Sequence, residues 1–151
     1  MKAILDRLVE RWRIDGVEIP APVDQRMIEK FESENEVRFP ADMRAYFLTV
    51  NGMGTRGESD QHFFCFWPLE DVQSIAKYTT NVSYLQRGPS DYFLFADHSI
   101  DVVSFAIHLS NDQAIWTPVV RTYWKDDDLE TVCDSFTDFL KVYLADPFKC
   151  M

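Results

Sequence analysis

The 151-residue sequence predicts an α+β fold: a mostly antiparallel sheet of four to six strands, flanked by N-terminal and C-terminal helices. Three observations carry that prediction. Apolar residues at helical spacing recur through the first fifty residues and return after residue 135. Between them, Val103, Phe105, Ile107 and Leu109 alternate with Val102, Ser104, Ala106 and His108, the period of two of a pleated strand. Apolar residues form 46% of the chain and aromatics 15%, enough for a thick core and too many for a disordered chain. The length suits one domain over residues 1–151.

The elements follow in order. Residues 2–13 read as a helix with Ile4, Leu5, Leu8 and Trp12 on one face, and Asp15 to Pro22 as a connector. Residues 24–52 read as two short amphipathic helices around an elbow. Met27, Ile28 and Phe31 mark the first helix and Met43, Tyr46, Phe47 and Val50 the second. Pro40 suits a first helical turn, where its missing N–H is not needed, and Asn51-Gly52 supplies a left-handed stop. Residues 52–61 read as a polar loop. Residues 62–67 (HFFCFW) read as a buried strand ended by Pro68, and 69–79 as a helix with Leu69, Val72, Ile75 and Ala76 inward. A loop over 80–91 precedes strands at Tyr92 to Ala96, Val102 to Leu109 and Pro118 to Trp124. An acidic turn, KDDDLE, then leads to a helix over 135–145, opened by a capping-box-like Ser135 and Asp138.

Charge narrows the partners. Fifteen basic against 25 acidic residues give a net charge of −10. Such a chain repels nucleic acid and anionic membranes and attracts basic proteins. The window 97–138 holds nine acids against only Arg121 and Lys125, a net of −7. No secretory leader or membrane-length apolar run is visible, and Cys65, Cys133 and Cys150 lack metal-site spacing, so a soluble cytoplasmic protein is expected.

Several catalytic patterns fail on inspection. Asp97, His98, Ser99 and Asp101 bring a carboxylate, an imidazole and a hydroxyl together, but Asp and Ser are ordinary turn formers and triads come from distant segments. His62, His98 and His108 have no partner at metal-ligand spacing. Cys65 reads as a core thiol and Cys150 as part of a frayed tail. Cys133, just before the last helix, could have its pKa lowered by that helix's N-terminus, but no base lies nearby in sequence. GMGTRG follows a helix and lacks the Lys-Ser/Thr of a phosphate loop. The expectation is no catalytic residue, cofactor or metal.

The pattern resembles the SUKH superfamily, which includes the fungal Smi/Knr cell-wall regulators and many bacterial immunity proteins. The residues that carry the resemblance are Ile28, Phe31 and Glu32, the Phe39-Pro40 elbow, and Tyr46, Phe47, Asn51 and Gly52. FLFADHSIDVVSFAIHLS, PVVRTYW and DSFTDFLKVYL extend it to about residues 23–145. Phe39 replaces the usual Leu or Ile, and His98-Ser99-Ile100 replaces a glycine-rich turn. The resemblance implies a non-catalytic immunity protein that binds and neutralises a bacterial polymorphic toxin, such as a basic nuclease. The alternative it implies is a regulatory or scaffold module for a cellular protein. The partner-binding candidates are Asp97, Asp101, Asp126, Asp127, Asp128 and Glu130 for charge, with Trp116 and Trp124 as aromatic anchors.

Overall fold

A computed structural model describes residues 1–54, 58–80, 89–112, 116–123 and 128–151. Its elements are α1 (Lys2–Ile14), α2 (Gln25–Asn35), α3 (Ala41–Phe47), β1 (Phe64–Phe66), β2 (Gln73–Ser74), α4 (Ile75–Thr80), β3 (Tyr92–His98), β4 (Val103–His108), β5 (Val119–Tyr123), β6 (Glu130–Cys133) and α5 (Phe136–Ala145). A 3₁₀ turn, Pro147–Cys150, follows. The strands form one antiparallel sheet in the order β1-β3-β4-β5-β6, with β2 pairing β3 beside β1. The α+β prediction therefore holds.

Helix ends follow from local chemistry. Asp24 caps α2 by accepting from the Met27 N–H. Ser135 caps α5: its Oγ accepts from the Asp138 N–H and donates to the Asp138 carboxylate. The elbow between α2 and α3 is fastened by Glu32, which is 4% exposed. Its Oε1 accepts from the Phe39 N–H at 2.8 Å and meets Arg44 Nη2 at 2.5 Å, while Arg38 Nη1 lies 3.7 Å from Oε2. A buried carboxylate is tolerated only with such partners.

The sheet is covered on both faces. Against one face lie Leu8 and Trp12 of α1, Ile28 and Phe31 of α2, Tyr46 and Phe47 of α3, and Phe136 and Phe139 of α5. The other face carries a smaller cluster of Cys65, Trp67, Leu94, Ala106 and Val120 under Ile75 of α4. This second cover explains why β4 is buried on both phases.

Five expectations are corrected. The segment 69–79 buries the residues expected, but it forms a turn and β2 before α4 begins at Ile75, since Pro68 and the turn at Leu69 to Asp71 come first. Asn51-Gly52 lies beyond the end of α3. Asn51 Oδ1 accepts from the Leu69 N–H, and Gly52 (φ +72°) passes so close to Phe66 and Trp67 that a Cβ would fall 2.6 Å from their backbone. Met27 is 46% exposed rather than packed with Ile28. β6 begins at Glu130, the last residue of the expected acidic turn, and adds a strand where none was expected before α5. Cys150, read as part of a frayed tail, is fully buried. Among the described residues, no helix is long and apolar enough to cross a membrane.

Candidate functional site

The antiparallel register decides which candidates meet. His98 pairs with Val103, Val103 with Tyr123, and Phe64 with His98. The β3–β4 turn, the start of β1, the end of β5 and the approach to β6 therefore share one end of the sheet. Asp101 lies in that turn, and Asp128 and Glu130 stand exposed where the chain enters β6. Trp116 does not join them. It is 58% exposed on the β4–β5 connection, at the opposite end, where its carbonyl contacts His108 Nδ1 at 3.2 Å. Trp124, Asp126 and Asp127 lie outside the described residues.

Asp97 is placed differently from the expectation of an exposed charge. It is 4% exposed on the α4 face of the sheet. Its Oδ2 accepts from Trp67 Nε1 at 2.5 Å and its Oδ1 from the Asp101 N–H at 3.2 Å. The carboxylate turns inward because a buried indole N–H needs an acceptor. Asp101 in turn accepts from the Tyr78 hydroxyl at 2.8 Å. Glu130 pairs with Arg121 at 2.7 Å, and that guanidinium lies 5.7 Å from the Tyr123 ring centre.

No catalytic geometry forms around His98. Its ring packs 5.0 Å from Phe64, and neither ring nitrogen has a hydrogen-bond partner among the described residues. His108 Nε2 instead meets Asp91 at 3.2 Å. Among the described residues, no group of three or more His, Cys, Asp or Glu could hold a metal ion. The helix-terminus expectation for Cys133 is reversed: burial, then Asp138 and Asp134, raise its pKa. Burial likewise pushes the Cys150 thiol up to about 12. Two shallow clefts of about 390 and 360 Å³ are both lined by Arg38, with Glu32 lining the first and Arg44 the second, and these three charges already hold the elbow.

The family model described as SMI1 / KNR4 family (SUKH-1) matches residues 22–142. The chain belongs to that family. The matched span runs from before α2 into α5, so it contains the whole sheet and the elbow. No curated protein matches the chain.

Sequence reasoning missed the apolar residues around the acids. Phe63 (63% exposed), Ile100 (81%), Val102 (52%) and Tyr123 (38%) all lie at this same end. Phe63 was hidden inside a run read wholly as buried strand. In fact β1 begins one residue later, and Phe63 sits in a turn with φ +65°.

Proposed function

We propose that this chain is a non-catalytic protein-binding domain, an immunity protein that neutralises a bacterial polymorphic toxin by occluding it. A basic nuclease is the toxin class its charge suits. The observation that carries the reading is the gathering of Asp101, Asp128 and Glu130 at one end of a SUKH-family sheet, where 124–129 joins β5 to β6. That connection contains Asp126 and Asp127 in sequence, so the acids of the KDDDLE run and the β3–β4 turn act as one negative field. Such a field raises the encounter rate with a cationic protein and disfavours anionic ones. In this reading Asp97 steadies the turn from inside and Trp116 stands outside the surface, while Trp124 is kept as an aromatic anchor on sequence grounds alone.

The test is co-expression with the product of the neighbouring gene in a growth-rescue assay. Rescue, with a stoichiometric complex recovered from the cells, is the expected result. Unrelieved toxicity with both proteins present would refute the immunity reading.

A further inference from the structure

The end of the sheet that carries the acids is also built to hold apolar side chains out in water. Four of the five non-glycine residues with left-handed backbone, among the described residues, lie there: Phe63 (φ +65°), Ser99 (+54°), Ile100 (+56°) and Asp101 (+63°). Left-handed backbone is unfavourable for any residue with a Cβ, and most of all for β-branched isoleucine. These turns persist because each is fastened to a buried carboxylate. Under Phe63, Asp60 (4% exposed) accepts from the N–H groups of His62 and Phe64 and from the hydroxyl of Tyr143, which itself accepts from Trp12 Nε1. Under Ile100, Asp97 accepts from Trp67 and from the Asp101 N–H. The Ser99 N–H donates to the Phe63 carbonyl at 3.0 Å and ties the two turns together.

We infer that Phe63 and Ile100, flanked by Val102 and Tyr123, form a preorganised apolar anchor, and that its occupant is a basic protein surface presenting an aliphatic or aromatic side chain. The inference rests on the protein-binding reading above and names the contact within it. Strained backbone held by over-determined surroundings marks functional sites. Rigid apolar anchors inside a charged rim are how interfaces concentrate affinity. Charge selects the occupant. Asp101, Asp128 and Glu130 rim the anchor, and the window 97–138 carries a net of −7, so a second copy of this end would be repelled while a cationic surface is drawn in.

The test uses the full ¹⁵N-labelled chain and two synthetic helical peptides of equal positive charge, one of Leu and Lys and one of Ser and Lys. The Leu–Lys peptide should shift the amides of residues 63 and 99–102 and bind at least about tenfold tighter than the Ser–Lys peptide. Ile100→Gly should abolish that preference while melting no lower than the unmodified chain, because glycine accepts the left-handed backbone. Equal binding of the two peptides, shifts confined elsewhere, or an unchanged preference in Ile100→Gly would overturn the anchor. Concentration-dependent dimerisation lost in Ile100→Gly would overturn the assigned occupant in favour of a second copy. If the peptide maps to this end while growth rescue fails, the immunity reading falls and the anchor stands. If rescue succeeds and the peptide finds no preference, the anchor falls alone.

Discussion

Asp97→Asn tests whether the buried carboxylate holds the β3–β4 turn. The substitution keeps size and one acceptor oxygen but replaces the other oxygen with an NH₂ donor. Asp97 receives two N–H donors on its two oxygens, Trp67 Nε1 on one and the Asp101 amide on the other. Whichever way the amide is turned, one N–H then faces another N–H. The site loses a charge-assisted hydrogen bond worth roughly 1.5–3 kcal/mol and leaves a buried donor without an acceptor, at about 1–3 kcal/mol. The two terms overlap, so a net loss of about 2–4 kcal/mol is expected, or roughly 5–15 °C in melting temperature for a chain of this size. Urea unfolding followed by tryptophan fluorescence measures it, because Trp67 is itself fully buried. The midpoint should fall with the slope unchanged. A variant within about 0.5 kcal/mol of the parent would refute the account of Asp97 as the turn's anchor, since that is the range of surface substitutions.

Four further outcomes follow from the same geometry. Ile100→Gly should stabilise the chain by about 0.5–1 kcal/mol, the left-handed penalty of roughly 1–2 kcal/mol less roughly 0.4–1 kcal/mol for glycine's unfolded-state entropy, read as a higher urea midpoint. Tyr143→Phe removes the acceptor of buried Trp12 Nε1 and a donor to Asp60, and should cost about 1–3 kcal/mol by the same assay. Cys150 should react slowly with a maleimide at pH 8, because burial raises its pKa to about 12 from the ordinary 9.0; labelling at the rate of a free thiol would contradict its burial. A raised folded pKa means that the thiol's contribution to stability is intact below about pH 9 and is lost as pH climbs toward 12. Tyr46 and Tyr143 are raised by burial as well and act in the same sense, so the difference between the parent chain and Cys150→Ala isolates the thiol.

Much of the fold was legible because its elements obey local rules. The stripe of Leu5, Leu8 and Trp12, the cap at Ser135 and the alternation of β4 each need only a few neighbouring residues to be read. What escaped depends on contacts distant in sequence. β2 is two residues long and exists only because β3 lies beside it. β6 is recruited by β5, with Arg121 and Glu130 paired across the register. Glu32 stood out in the sequence only as part of the family resemblance, and it is the acid of α2 that Phe39 and Arg44 draw inward. The candidate site shows the same division. The acids of the turn and of the β6 entry were visible as charge, whereas the separation of Trp116 from them required the strand register. The inward turn of Asp97 required Trp67, thirty residues away in sequence. The exposure of Ile100 had a faint signal in the replacement of a glycine-rich turn by His98-Ser99-Ile100, which placed an isoleucine where the backbone favours glycine, whereas Phe63 was hidden in its aromatic run.

The central claim is that the acidic end of the sheet draws in a basic toxin. It is tested most directly by the association rate between this chain and the product of the neighbouring gene, measured at low and at high ionic strength. Reversing Asp126, Asp127 and Asp128 to Lys should slow association by roughly tenfold or more at low salt, with the difference shrinking as salt screens the field. Trp116→Ala, at the opposite end, should leave the rate unchanged. A triple reversal that associates as fast as the parent chain at low salt would contradict the claim.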